Sequence, residues 1–201
     1  VYTPTEGKII LNDELLNPLK PHDITTRGIA RTFQNIRLFK NLSVLDNVRL
    51  GYHIHMSYSV FSMVIESPHY ENEEDEAHQR CMDLLKIFNL QKNAHQQAKN
   101  LPYGAQRRLE VLRALATRPK ILLLDEPAAG LNARETEDLM QTIQQIRKQF
   151  DLTILLIEHD MKLVMGICER ILVLDHGETI AEGTPKEIQS IPAVIKAYLG
   201  E

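Results

Sequence analysis

The 201-residue sequence contains only two cysteines, Cys81 and Cys168, and they lie far apart. This excludes a disulfide framework and favours a reducing compartment. No apolar run approaches the roughly 20 residues of a membrane-spanning helix, and no signal-peptide pattern is present. The formal net charge of −4 offers no basic excess for nucleic acid or anionic lipid. With 43% hydrophobic and 25% charged residues, the composition predicts a cytoplasmic globular protein.

The second half of the chain alternates between strand and helix patterns. Residues 121–124 and 153–157 are short, continuous apolar runs, which are typical of buried parallel strands. Between them, residues 134–149 are mostly polar, with apolar residues at helical spacing: Leu139, Ile143 and Ile146. This order predicts an α/β sheet with right-handed crossovers.

The ends of the chain carry turn signals. Residues 171–174 and 179–181 predict a hairpin around Asp175-His176-Gly177. The stretch 184–187, TPKE, has the cap, proline and glutamate of a helix start. At the other end, residues 3–7 predict a turn that leads into a short strand at 8–11. The chain opens without methionine, so we expect it to be a fragment of a longer protein.

Residues 41–101 differ from the rest and predict a mainly helical insert. The run 71–76 has five acidic residues in six positions. It suits either a cation site or a solvated loop leading into a helix start, and we expect the loop.

Two adjacent carboxylates, Asp125 and Glu126, follow the first apolar strand, and His159 follows the second. Ligands gather at the carboxyl ends of parallel strands, so these side chains should meet at one edge. An aspartate there holds Mg²⁺ in P-loop NTPases, and a second carboxylate can polarise an attacking water. The structural alternatives are a cap for the helix near Arg134 and, for the histidine, a packed side chain.

A further candidate is the helix that begins near Pro102-Tyr103-Gly104-Ala105, with its buried face at Leu109, Leu112 and Leu115. Its free N–H groups and positive dipole end suit an anion. A glycine near a helix start can also simply form a turn, and the residues alone leave both possibilities open.

Three stretches, in this order and spacing, resemble the ATP-binding subunits of ATP-binding-cassette (ABC) transporters: LPYGAQRRLEVLRALA, ILLLDEPAAGLN and ILLIEHD. Three others resemble the branched-chain amino-acid importer group: RGIARTFQNIRLFKNLSVLDNV, EHDMKLVMGICERILVLDHGETIAEGTPKEI and AVIKAYLGE. The resemblance implies a P-loop NTPase-like α/β fold. It would be a mostly parallel sheet flanked by helices, with an inserted helical subdomain, here truncated at the N-terminus.

The resemblance also implies roles for individual residues. Asp125 matches the Walker B aspartate that holds Mg²⁺ through water, and Glu126 matches the catalytic glutamate. His159 matches the histidine that senses the γ-phosphate of ATP. Gln34 matches a glutamine that senses metal and water. Asn132, in the turn segment that meets the partner's nucleotide, stands where many members have aspartate.

Tyr103, Gly104, Ala105 and Gln106 match the signature motif, which in this family contacts the ATP bound by the opposite subunit. Pro102 replaces a serine that is common there, which removes a hydroxyl and a backbone N–H donor. We therefore expect a lower affinity of the closed dimer for ATP.

The phosphate-binding loop G-x-x-x-x-G-K-[ST] is missing from the sequence. The single Gly-Lys pair, Gly7-Lys8, is followed by Ile9, and Tyr2 occupies the position of the first glycine. We expect truncation upstream and no appreciable ATPase activity of these 201 residues alone. Natural loss of the loop, giving a regulatory or dimerisation module, is the alternative. A second alternative is that the chain is the ATPase subunit of another ABC system, such as lipopolysaccharide export.

The resemblance implies a division into 1–40 (core with Gln34), 41–101 (helical subdomain) and 102–201 (remaining core). It implies ATP and Mg²⁺ as ligands, a second ATPase subunit, and transmembrane permease subunits that meet the surface around residues 35–47. The protein would be cytoplasmic and reach the inner face of the membrane only through those partners. No nucleic-acid partner is expected.

Overall fold

The computed structural model describes residues 4–59, 62, 64 and 67–199. Its first elements are a small antiparallel hairpin of β1 (Ile10–Leu11) and β2 (Glu14–Leu15), then helix α1 (Pro21–Thr26) and strand β3 (Ile29–Arg31). The predicted strand at 8–11 is thus confirmed over its second half. Thr3 of the predicted turn, and the last two residues of the AVIKAYLGE stretch, lie outside the described residues.

The middle of the chain is helical, as predicted. It contains α2 (Val44–Tyr52), α3 (Pro68–Ile87) and three 3₁₀ turns at His53–His55, Gln91–Asn93 and Ala98–Asn100. Helix α4 (Tyr103–Leu115) follows, with Leu109, Leu112 and Leu115 buried.

The prediction of a solvated loop at 71–76 is wrong, because this acidic run lies inside α3. The helix begins earlier: the Ser67 side chain accepts a hydrogen bond from the Tyr70 N–H, and Pro68 occupies the first turn. Glu74 is paired with Arg49 of α2 and accepts a hydrogen bond from the Tyr58 hydroxyl at 2.8 Å. The run therefore includes a carboxylate that ties two helices together.

A three-stranded parallel sheet forms the centre, in the order β3, β4 (Ile121–Asp125) and β5 (Thr153–Ile157). Ile121 pairs with Ile29 on one side and with Thr153 on the other. The crossover from β4 to β5 is the amphipathic helix α5 (Ala133–Gln149), which buries its three predicted apolar residues: Leu139, Ile143 and Ile146. The α/β prediction is confirmed.

After β5 come helix α6 (Met161–Ile167) and the predicted hairpin of β6 (Ile171–Asp175) and β7 (Glu178–Gly183). His176 and Gly177 form its two-residue turn, both at positive φ, as a type I′ turn requires. The chain continues through the short helices α7 (Pro185–Ile188) and α8 (Pro192–Val194) into a π-helical turn, Ile195–Leu199.

One continuous core joins the helical segment to the central sheet; it includes Val48, Leu85, Leu109, Leu122 and Ile146. A second, smaller cluster lies under the β6–β7 hairpin. None of the described helices is both long and apolar enough to cross a bilayer.

Candidate active site

The three parallel strands deliver polar residues to the same edge of the sheet. Gln34 follows β3, Asp125 and Glu126 end β4, and Glu158 and His159 follow β5. The register aligns Asp125 with Ile157, so the residues just beyond these two strands are neighbours. This is why side chains more than 90 positions apart in sequence meet here.

Glu126 lies at the centre of this edge. Its Oε2 accepts a hydrogen bond from the Gln34 Nε2 at 2.9 Å. The His159 Nδ1 lies 3.7 Å from Oε1 of the same carboxylate, and the imidazole is 71% exposed. The structure thus brings Gln34 and His159 together on the carboxylate of Glu126, and a water molecule can reach this carboxylate from solvent.

The backbone of Glu126 is strained. Its φ of 44° lies in the left-handed region, which residues other than glycine seldom adopt. The Glu126 N–H donates to the Ile157 carbonyl at 2.9 Å, and its own carbonyl accepts from the Ala129 N–H at 3.1 Å. These bonds hold the turn in place, and such strain is commonly found at functional sites.

Asp125 is placed beside Glu126 but has a different partner. Its Oδ2 accepts from the Arg31 guanidinium at 2.9 Å, and its backbone N–H donates to the Thr32 hydroxyl at 3.3 Å. Among the described residues, no group of three His, Cys, Asp or Glu side chains could hold a metal ion. The candidate metal ligands at this edge are the carboxylates of Asp125 and Glu126 and the amide oxygen of Gln34. Such a set fits Mg²⁺ that is also bound by nucleotide phosphates and waters, rather than a metal enclosed by protein ligands.

Glu158 has a buried side chain in the site, and the sequence predicted no role for it. Its side chain is 1% exposed. Its Oε1 accepts from the Ala128 N–H at 2.9 Å and its Oε2 from the His159 N–H at 3.1 Å. Glu158 therefore ties the turn that follows Glu126 to the loop that carries His159. Its position just after a strand can be read from the sequence, whereas its hydrogen bond with the distant Ala128 N–H cannot.

The predicted signature residues lie at the start of α4 and have no hydrogen bond to Glu126 among the described residues. Tyr103 donates from its hydroxyl to the Ala129 carbonyl at 3.1 Å. A Cβ on Gly104 would lie 2.5 Å from the Glu135 Oε1, so the Glu135 side chain of α5 packs closely against the start of α4. Ala105 is buried, and the Gln106 Nε2 donates to the Leu101 carbonyl at 2.9 Å.

Pro102 is the N-cap of α4 and supplies no side-chain hydrogen bond to it. The first N–H groups of the helix therefore have no side-chain cap. In contrast, the Asn132 Oδ1 caps α5 by accepting from the Glu135 N–H at 3.0 Å, and the Glu135 carboxylate accepts from the Asn132 N–H in return. The alternative that Asp125 and Glu126 cap this helix is therefore wrong, because Asn132 does so.

Two family models match the chain. Residues 1–129 match the model described as ABC transporter, and residues 178–201 match the one described as branched-chain amino acid ATP-binding cassette transporter.

Known proteins match along the whole chain. The high-affinity branched-chain amino acid transport ATP-binding protein LivG of Escherichia coli K12 is 46% identical over 200 residues, covering 100% of this chain and 78% of LivG. BraF of Pseudomonas aeruginosa, which has the same description, matches with the same identity and coverage. The spermidine/putrescine import ATP-binding protein PotA of Legionella pneumophila is 30% identical over 200 residues, covering 98% of this chain and 50% of PotA.

Solved structures of ATP-binding cassettes are similar to the fold of this chain. The ADP conformation of MJ1267, an ATP-binding cassette of an ABC transporter, has a TM-score of 0.80 at 27% identity and covers 98% of this chain and 78% of its own. The dimeric post-hydrolysis state of the cassette MJ0796, bound to ADP and Pi, has a TM-score of 0.74 at 26% identity, covering 92% and 75%.

Proposed function

Since the chain belongs to the ABC transporter family of ATP-binding proteins, we propose that it energises an importer of branched-chain amino acids by hydrolysing ATP. The single observation that supports hydrolysis best is the grouping of Gln34, Glu126 and His159 around one solvent-accessible carboxylate. The amino-acid class rests on the likeness to LivG and BraF and on the match at residues 178–201.

In the proposed reaction, the Glu126 carboxylate orients and polarises the water that attacks the γ-phosphate of ATP. Gln34 holds that carboxylate through its amide N–H, and the His159 imidazole, 3.7 Å from the same carboxylate, would contact the γ-phosphate. Asp125 would hold Mg²⁺, with the amide oxygen of Gln34 as a second donor, and the ion would neutralise charge on the phosphates.

We propose that a second ATPase subunit completes each site. The residues offered to the partner's nucleotide are Tyr103, Gly104, Ala105, Gln106 and Asn132. The uncapped start of α4 supports this, because free backbone N–H groups at a helix N-terminus attract phosphate. The likeness to a dimeric cassette bound to ADP and Pi supports it as well.

We propose that the permease subunits bind around residues 35–47. Within this range Phe39 is 54% exposed, and Leu50, just beyond it, is 44% exposed. Both line a surface cavity of about 340 Å³, together with Arg31 and Arg113. An exposed apolar surface of this kind suits a protein partner. Such binding would place the protein on the inner face of the membrane, and residues 41–101 would form the helical subdomain that carries much of this contact.

We propose that the 201 residues alone do not turn over ATP, because they contain no G-x-x-x-x-G-K-[ST] loop to bind the phosphates. ATP turnover by the 201-residue polypeptide that is lost in Glu126→Gln would contradict this proposal.

The transport assignment is tested with the natural protein and its permease subunits reconstituted in liposomes. We expect ATP-dependent uptake of leucine, isoleucine or valine that is abolished by Glu126→Gln. Stimulation of turnover by a polyamine, or association with lipopolysaccharide-export subunits, would instead assign the protein to another ABC system. A natural protein without any ATPase activity would support the regulatory alternative.

A further inference from the structure

Two charged residues of α4, Arg107 and Glu110, are buried and take no part in the proposed chemistry. Their side chains are only 5% and 2% exposed, and they form an ion pair with 3.6 Å between the Arg107 Nη1 and the Glu110 Oε2. Residues of these types are almost never fully buried unless they are paired. The pair therefore satisfies this rule, and its other contacts show what it holds.

Both residues contact the segment that contains Gln34. The Arg107 Nη1 donates to the Phe33 carbonyl at 3.1 Å, and its Nη2 donates to the Gln34 carbonyl at 2.5 Å. On the far side of Gln34, the Glu110 Oε1 accepts from the Arg37 N–H at 3.1 Å. The ion pair thus holds the backbone before, at and after Gln34, although it is more than 70 residues away in sequence.

Stability alone does not account for this pair. The Arg107 Nε–H has no partner among the described residues, and an unsatisfied buried donor is costly. Burial raises the pKa of the Glu110 carboxyl, against the opposing effects of the Arg37 N–H and Arg107. Apolar residues of similar volume often stabilise a protein as well as a buried ion pair or better.

We propose that Arg107 and Glu110 are positioning residues that fix the backbone of Gln34, so that its amide reaches Glu126. Because these bonds attach the backbone around Gln34 to α4, their loss would allow Gln34 to shift relative to the Glu126 carboxylate. The catalytic part of this inference rests on the proposed function.

The first test measures ATP turnover by the natural protein in its complex. Arg107→Met keeps the volume and removes all donors, and we expect kcat to fall by about 10- to 100-fold, as for other small misplacements of catalytic groups. We expect the KM for ATP to change much less. Arg108→Met, on the same helix, is the matched control; Arg108 makes no side-chain hydrogen bond within the described ranges, and we expect wild-type kcat.

A positioning role is separated from a general structural one by repeating Arg107→Met in a Gln34→Ala background. If Arg107 acts through Gln34, the second substitution should reduce kcat by less than about twofold further, because interacting residues are not additive. Equal losses in both backgrounds would overturn the proposal. Should Arg107→Met not fold, Arg107→Lys keeps the charge but replaces the planar guanidinium, which uses two nitrogens for the two carbonyls, with a single ammonium of different geometry. It should show the same non-additivity at a smaller loss of kcat.

A second readout does not depend on activity. Amide hydrogen exchange at Arg37 reports its bond to Glu110. We expect exchange to accelerate at least several-fold in Glu110→Leu and to stay close to wild type in Glu110→Gln, which retains an acceptor oxygen. Unchanged exchange in Glu110→Leu would overturn the clamp. A wild-type complex without ATPase activity would refute the proposed function, and the exchange result would still decide on the clamp.

Discussion

The buried carboxylate of Glu158 offers a quantitative test of how the site is held together. Glu158→Ala removes the acceptor for three backbone N–H groups: those of Ala128 at 2.9 Å, His159 at 3.1 Å and Asp160 at 3.5 Å. The Ala128 N–H is largely buried, and leaving such a donor unsatisfied costs about 1–3 kcal/mol. The His159 N–H lies in an exposed loop where water replaces the lost bond, and the Asp160 bond is long, so these two add together at most about 1 kcal/mol. We expect a loss of unfolding free energy of about 1–4 kcal/mol.

Glu158→Gln refines the same prediction. An amide has one oxygen, whereas the Ala128 N–H binds Oε1 of Glu158 and the N–H groups of His159 and Asp160 bind Oε2. The variant can therefore keep the bonds at only one of these two positions, and we expect roughly half the loss of Glu158→Ala. Glu169→Gln is the matched control: this carboxylate is exposed and pairs with Arg147 on the surface, and surface ion pairs contribute little.

The assay is urea unfolding of the purified natural protein, followed by circular dichroism, with m-values compared to verify that the transitions are equivalent. We expect the urea midpoint to be highest for Glu169→Gln, lower for Glu158→Gln and lowest for Glu158→Ala. A Glu158→Ala protein with the midpoint of the control would refute the view that this carboxylate joins the two loops.

Three further predictions concern the core, a thiol and a close helix contact. Leu139→Ala, in the buried face of α5, should cost about 2–5 kcal/mol of unfolding free energy, whereas Glu137→Ala on the same helix should leave the urea midpoint unchanged. Burial raises the pKa of the Cys81 thiol to about 11. An alkylating reagent at pH 8.5 should therefore modify Cys81 only on unfolding, and stability should decrease as the pH rises from about 9 towards 11, where only the unfolded thiol ionises; rapid labelling of Cys81 itself in the native protein would contradict this. Gly104→Ala should displace the Glu135 side chain from the α5 cap and lower the urea midpoint, while an unchanged midpoint would show that the contact is not tight.

Much of the α/β part could be predicted because its signals are local. The apolar runs predicted β4 and β5, the helical spacing of apolar residues predicted α5, and the turn residues predicted the β6–β7 hairpin. The rule that parallel strands end at one edge then placed Glu126 near His159 without any knowledge of their distance.

The remaining features depend on contacts that no local spacing encodes. The acidic run at 71–76 was expected to be a loop, because a cluster of like charges on its own disfavours a helix. In the fold, Ser67 starts the helix upstream and Arg49 of α2 pairs with Glu74. Similarly, Arg107 lies in an unremarkable helical pattern, and only the fold brings it to the Gln34 carbonyl.

The most direct test of the account is the ATPase activity of Glu126→Gln in the natural protein with its permease subunits. Glutamine keeps the size of the side chain but is a poor base, so we expect turnover to fall by about 10²- to 10⁴-fold. Binding of ATP, measured by equilibrium dialysis, should be retained, because Glu126 does not hold the nucleotide. Turnover within a few-fold of wild type would contradict the central claim that this carboxylate activates the attacking water.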